Sequence, residues 1–153
     1  MFVTNHALAG TAIGALVRRP MPAFVAALAS HVLMDVAPHF GGLDMDGPEF
    51  LRAARVDGAV GLGVTAAVVA VAPPAVRRNA LAGLAGACLV DLDKPSRHFF
   101  DRSPFPAVVD RFHGRIQNEV PNGRRIEAAT AAALGIAVGA AFRYRRRTGR
   151  AVA

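Results

Sequence analysis

The sequence predicts an all-α protein: a multi-pass membrane bundle of about five short helices, with one further amphipathic helix at the membrane interface. Of its 153 residues, 53% are hydrophobic and only 19% are charged, whereas soluble domains carry about 25% charged residues. The apolar residues are gathered into separate segments, and arginines or prolines end most of these segments. This distribution favours helices in lipid over a soluble domain.

Five apolar segments follow one another along the chain. They are Ala7 to Val17, Pro22 to Ala37, Ala59 to Val76, Ala80 to Val90 and Ala128 to Phe142. A spanning helix needs about 20 apolar residues, with a lower limit of about 17, and only the third segment reaches that length unaided. The pairs Gly10/Gly14 and Gly135/Gly139 have the GxxxG spacing that lets helices approach closely in a membrane. A soluble α-helical bundle with a basic surface is the alternative.

Arginine accounts for the formal net charge of +7, since Lys94 is the only lysine. The arginines lie at the ends of apolar runs and are not interleaved with aromatic residues, so we expect membrane lipid as a partner and no nucleic acid. A single cysteine, Cys88, excludes an internal disulfide. We expect one helical membrane domain over residues 1–142 and a basic tail over residues 143–153, and the oligomeric state stays open.

The charged residues separate into two groups if all five segments cross the membrane. The N-terminus and the long loops 40–58 and 94–127 then share one side with all five histidines and all eleven acidic residues. The two short arginine turns and the C-terminal tail share the other side, which has nine arginines and no acid. The number of basic residues is equal on the two sides, but the dense arginines of the tail favour a cytoplasmic C-terminus in the cell membrane.

An amphipathic helix is predicted between Pro106 and Glu119. Its apolar residues Val108, Phe112 and Ile116 follow helical spacing, with charged residues between them. We expect this helix either to lie on the membrane surface over the polar side or to pack on its own bundle.

The first polar motif lies at the end of the second segment, where His31, Asp35 and His39 recur every four residues. On a helix they form one stripe, and imidazole and carboxylate groups on one stripe can bind a divalent ion. Pro38 is expected to end the helix and turn His39 away from the stripe. The alternative is a plain hydrogen bond between His31 and Asp35. Ionisable residues inside a membrane tend to mark function, which favours a metal or proton-handling role.

The second polar motif follows the fourth segment, where Asp91 and Asp93 flank a leucine. Such carboxylate pairs bind Mg²⁺, Mn²⁺ or Zn²⁺, and Pro95 predicts a loop that lets both carboxylates turn inward. The alternative is a helix end with its acids in water. His6 and His113 are expected on the same side of the membrane.

Three short stretches, Asn5 to Gly10, Ser30 to Asp35 and Val90 to Pro95, resemble the bacterial membrane-bound, metal-dependent hydrolases. Here Val90 replaces the usual proline of that family, and Lys94 stands where the family often has histidine. The resemblance implies a metal site whose ligands are His6, His31, Asp35, Asp91 and Asp93.

The predicted function is therefore a membrane-embedded, metal-dependent hydrolase that acts on a lipid-associated or phosphate-containing substrate. Its cofactor would be Zn²⁺, Mn²⁺ or Mg²⁺, which lowers the pKa of a bound water, and His39, His98 or His113 would be the general base. The sequence has no P-loop, nucleophile elbow, HExxH or CxxC motif, so the corresponding mechanisms are not supported. The alternative is a non-catalytic membrane binding or assembly protein with a structural His/Asp cluster.

Overall fold

The computed structural model describes residues 1–44 and 47–150, with side chains up to residue 148. Its described part contains seven α-helices: α1 Val3–Leu16, α2 Pro20–Val36, α3 Pro48–Val71, α4 Pro74–Cys88, α5 Asp93–Phe100, α6 Ala107–Ile116 and α7 Arg124–Arg150. A 3-10 turn, Val90–Leu92, joins α4 to α5. Two very short strands, β1 His39–Phe40 and β2 Glu119–Val120, pair in parallel. The predicted all-α fold is confirmed.

Helix α1 packs against α2, α3, α4 and α7, and its contact with α4 is the most extensive. That contact depends on glycine, because a Cβ at Gly10 would collide with the backbone of Gly83. A Cβ at Gly14 would likewise collide with the backbone of Asn79. The close approach predicted from the Gly10/Gly14 pair is confirmed. Around Gly135, by contrast, no described atom outside the local helix lies within 4 Å of where a Cβ would stand.

Two expected boundaries around the third segment are wrong. Helix α3 ends at Val71, whereas the third segment was expected to continue to Val76. Residues 77–79, expected to form the second short arginine turn, lie inside α4. The chain turns at Ala72 and Pro73, and Pro74 takes the first position of α4. Proline is favoured at this position because the first N–H of a helix would have no partner within the helix. Helix α3 also begins at Pro48, far ahead of Ala59. With 24 residues in α3 and 27 in α7, these two helices are not short.

Proline has different effects after α2 and after α4. Helix α2 ends at Val36, two residues before Pro38, and His39 leaves the helical stripe as predicted. The predicted loop at Pro95 is wrong, since α5 begins at Asp93 and includes this proline in its first turn. A proline is tolerated there because the first N–H groups of a helix have no partner within the helix.

The buried acidic residues and histidines lie at one end of the bundle, whereas arginines occur at both ends. We call one end the polar end, where His6, Asp35, Asp91, His113 and Glu127 are all buried. We call the other the arginine end, where Arg146 donates a hydrogen bond to the Val71 carbonyl at 2.6 Å and Asn79 donates one to the Val17 carbonyl at 3.0 Å. The apolar core nearest the arginine end consists largely of alanines, with Val76 and Phe142.

Helices α3 and α7 are, in the described part of the chain, long and apolar enough to cross a membrane by length and composition. In their most apolar stretches only 11% and 17% of the residues are buried within the protein. Leu62 on α3 and Ile136 on α7 are 73% and 69% exposed. Both helices therefore direct large apolar side chains away from the bundle.

Helix α6 forms where the sequence predicts an amphipathic helix, and its orientation is informative. His113 is buried against the bundle, whereas Val108 and Phe112 are 64% and 52% exposed. Val108 and Phe112 therefore face outward, whereas His113 faces inward.

Candidate metal centre

Three histidines converge on the carboxylate of Asp35, which is fully buried in the last turn of α2. The Nε2 atom of His31 lies 3.0 Å from Asp35 Oδ2, and Nε2 of His113 lies 3.3 Å from the same oxygen. Nε2 of His6, in the first turn of α1, lies 3.1 Å from Asp35 Oδ1. Three different helices thus supply imidazoles to one carboxylate.

Hydrogen bonds on the far side of two rings orient them. His31 Nδ1 donates to the Ala87 carbonyl at 2.7 Å, and a carbonyl can only accept, so this nitrogen carries the hydrogen. His113 Nδ1 lies 3.1 Å from Asp93 Oδ2. In the neutral rings the lone pairs are then on the two Nε2 atoms, which are 3.3 Å apart. Metal-binding histidines are held in this way by carbonyls and carboxylates.

Two groups of side chains have the geometry to hold a metal ion, each with its ligand atoms within 4.8 Å of one another. One group is His6, His31 and Asp91, and the other is His31, Asp35 and His113. His31 belongs to both. Asp91 Oδ2 and His6 Nδ1 are buried and have no hydrogen-bond partner among the described residues, which is uncommon for buried polar atoms. Imidazole and carboxylate donors together suit Zn²⁺, and the carboxylates also suit Mn²⁺.

Charged neighbours shift the pKa of groups at this centre. Burial raises the pKa of Asp91, but the positive charges of Lys94 and His6 outweigh burial and hold that pKa at about 2. Lys94 Nζ is 2.8 Å from Asp91 Oδ1. Burial lowers the pKa of His113, but its hydrogen bonds with Asp35 and Asp93 raise it to about 9. The buried carboxylates therefore favour a proton on His113, and this proton must leave before its Nε2 can bind a metal ion.

Gln117 is a residue of this centre that the sequence analysis missed. Its Nε2 donates to Asp35 Oδ2 at 2.8 Å, and it follows His113 by one helical turn. His39, predicted as a general base, lies 3.0 Å from Gln117 Oε1 through Nε2 and donates from Nδ1 to the Ala37 carbonyl at 2.8 Å. His39 is thus buried and does not contact Asp35 directly, because Gln117 lies between the two side chains. The i, i+4 spacing of His113 and Gln117 was the available signal.

Backbone hydrogen bonds tie the end of α6 to the end of α2. The Asn118 N–H donates to the Asp35 carbonyl at 2.9 Å, and the His39 N–H donates to the Asn118 carbonyl at 3.1 Å. These bonds continue into the β1–β2 pair. His113 is thereby held over Asp35 although the two residues are far apart in sequence.

Two further carboxylates, also missed from the sequence, position the first turn of α1. Asp57 accepts hydrogen bonds from the N–H groups of Val3 and Thr4 at 2.7 and 3.1 Å. The buried Glu127 accepts one from the Phe2 N–H at 3.2 Å. The first N–H groups of a helix have no partner within it and attract negative charge, so these acids orient the turn that carries His6.

The predicted site residues divide into three sets. His6, His31, Asp35 and Asp91, predicted as ligands, lie together with His113, predicted as a base. Asp93, also predicted as a ligand, contacts the Nδ1 of His113 and lies in neither ligand group. His98, predicted as a base, is exposed on α5, where its ring contacts the ring of Phe99.

Comparison of this chain with protein-family models, with curated proteins and with solved structures finds no match in any of the three.

Proposed function

We propose that this protein is a membrane-embedded hydrolase that depends on a divalent metal ion bound at the polar end of the bundle. The observation that carries the proposal is the convergence of His31 Nε2 and His113 Nε2 on Asp35 Oδ2, at 3.0 and 3.3 Å. Two imidazoles and a carboxylate in so small a volume, all buried, favour a cation between them.

Each surrounding residue has a definable task in this proposal. His31, His113 and Asp35 bind the ion, with His6 and Asp91 on its neighbouring side, and Asp93 orients the ring of His113. A bound divalent ion supplies Lewis acidity and lowers the pKa of water. Asp91 Oδ2, which lacks a partner, can accept a hydrogen bond from an entering water molecule.

Lys94 favours an anionic substrate. Its ammonium group is 2.8 Å from Asp91, and Asp91 raises the pKa of Lys94 above its usual value even though burial acts in the opposite direction. A fixed positive charge beside a metal centre stabilises the charge that develops on a phosphoryl or acyl oxygen. A phosphate-containing, lipid-associated substrate fits this arrangement.

A multi-pass membrane location is supported by three features. Helices α3 and α7 have the length of spanning helices and are poorly covered by the rest of the chain. The bundle has a polar end and an arginine end, separated by apolar helix surfaces. The exposed apolar residues Val108 and Phe112 of α6 favour its placement at the membrane interface. We propose a cytoplasmic arginine end because of the dense arginines at residues 143–147.

Metal analysis of the detergent-purified full chain tests the proposed centre. We expect about one equivalent of Zn²⁺ or Mn²⁺ per chain. A chelator should remove the metal and abolish hydrolysis of a chromogenic phosphodiester. Adding the metal back should restore both the metal content and the activity. A metal-free preparation with the same thermal stability would contradict the proposal and favour a structural His/Asp cluster in a non-catalytic binding or assembly protein.

Alkaline carbonate washing of membranes tests the location. We expect the protein to stay in the membrane pellet and to be released only by detergent, because the apolar faces of α3 and α7 are more stable in lipid than in water. Release into the supernatant without detergent would identify the chain as a soluble bundle with a basic surface.

A further inference from the structure

A cavity of about 790 Å³ lies between α1, α3 and α7. Its volume falls in the range of about 300–1,000 Å³ that is common for small-molecule sites. The first turn of α1 separates it from the metal centre, since Asn5 lines the cavity and the next residue, His6, contacts Asp35. The cavity is therefore a second site at the polar end.

The lining of the cavity changes from charged to apolar along α3 and α7. Arg52 and Arg124 lie in the first turns of these helices, at the polar end. Val56, Val60 and Ala131 line it farther along the same helices. From Arg52 to Val60 the helix rises about 12 Å. A ligand that fills this cavity needs a polar head at one end and an apolar chain at the other.

The cavity lining carries three carboxylates and two arginines, and one of these arginines is free to bind a ligand. Asp57 and Glu127 also line the cavity, but both accept hydrogen bonds from the backbone of α1. Glu49 is paired with Arg124 at 2.6 Å. Arg52, by contrast, has no ion pair or hydrogen bond to any described residue, and it is exposed at the rim. Guanidinium groups bind phosphate oxygens through paired N–H donors.

Asn5 offers a second polar contact. It is 1% exposed and lines the cavity, and within the described part of the chain its Oδ1 has no hydrogen-bond partner. Its Nδ2 already donates to Glu127 Oε2 at 2.6 Å. The free Oδ1 can accept a hydrogen bond from an O–H or N–H group of a ligand head.

We propose that this cavity binds a phosphate-headed amphiphile from the surrounding bilayer. The phosphate contacts Arg52, while Arg124 stays paired with Glu49. The apolar chain lies between α3 and α7 along Val56, Val60 and Ala131. This inference rests on the membrane location of the proposed function and does not require the metal centre.

Isothermal titration of the full chain in an uncharged detergent, with dodecyl phosphate as the probe, tests the site. We expect saturable binding by the native chain, and Arg52→Gln to weaken it roughly tenfold through loss of a charge-assisted hydrogen bond. Arg55→Gln is the matched control, an exposed arginine on the same helix outside the cavity, and should bind as the native chain does.

A second pair of variants tests the apolar part. Ala131→Phe fills the cavity and should abolish binding, whereas Ala132→Phe, on the exposed surface next to it, should not. Circular dichroism of both variants verifies folding. Binding of inorganic phosphate as tight as that of dodecyl phosphate, or equal binding by Arg52→Gln and the native chain, would overturn the proposal.

The same titration with His31→Ala separates the two sites. We expect this variant to lose its metal ion and to keep its affinity for dodecyl phosphate, because His31 does not line the cavity. A metal-loaded, membrane-embedded protein that does not bind dodecyl phosphate would refute only the proposed ligand site in the cavity. A metal-free protein that does bind it would refute only the metal centre.

Discussion

His31→Ala is expected to lower the affinity of the protein for its divalent ion by more than about a hundredfold, because His31 is the one side chain shared by both ligand groups. Changing a residue that only orients a ligand already costs about 10–100-fold in metal affinity. The variant also leaves the Ala87 carbonyl without its imidazole donor. Competition for Zn²⁺ with a chromophoric chelator measures the change, and elemental analysis of the purified variant measures the metal that remains.

His98→Ala is the matched control for this prediction. It removes the same side chain from an exposed position on α5, where the ring packs against Phe99 and contacts neither ligand group. Metal content and affinity should equal those of the native chain. Equal metal binding by His31→Ala and His98→Ala would show that the ion is not held by the cluster around Asp35.

Gly83→Leu is expected to reduce the free energy of unfolding by about 3 kcal/mol or more, since overpacking of this kind forces the backbone apart. A Cβ at Gly83 would collide with the carbonyl of Gly10, so α1 and α4 would have to separate. These helices carry His6 and lead into Asp91, and the metal centre should be lost as well. The midpoint of thermal unfolding, followed by circular dichroism in detergent, reports the loss of stability.

Gly135→Leu serves as the control, because no described atom outside the local helix lies within 4 Å of the added Cβ. Its effect on the unfolding free energy should stay within about 0.5 kcal/mol, apart from a small gain in helix propensity. If both variants unfold at the same midpoint, the close contact between α1 and α4 does not determine the stability of the bundle.

Local sequence determined the helical fold, the collection of the acidic residues at one end of the bundle and part of the metal centre. Helical spacing places His31 and Asp35 on one face, and Pro38 stops the helix before His39, since both effects act within a few residues. The same local chemistry places the turn before α4 at Pro73 and Pro74, although the hydrophobic run continues on both sides of these prolines. The interpretation of Pro95 as a helix breaker failed because position within a helix decides what proline does.

Tertiary structure alone decided which histidines meet the carboxylates. His98 and His113 lie in the same polar stretch of sequence, yet only His113 is buried against Asp35. The difference comes from the hydrogen bond that the Asn118 N–H donates to the Asp35 carbonyl, which holds the end of α6 beside α2. The support of His31 by the Ala87 carbonyl and of Phe2 by Glu127 joins residues that are 56 and 125 positions apart. Hydrogen bonds over such separations form only after the helices have packed, and no local pattern of residue types encodes them.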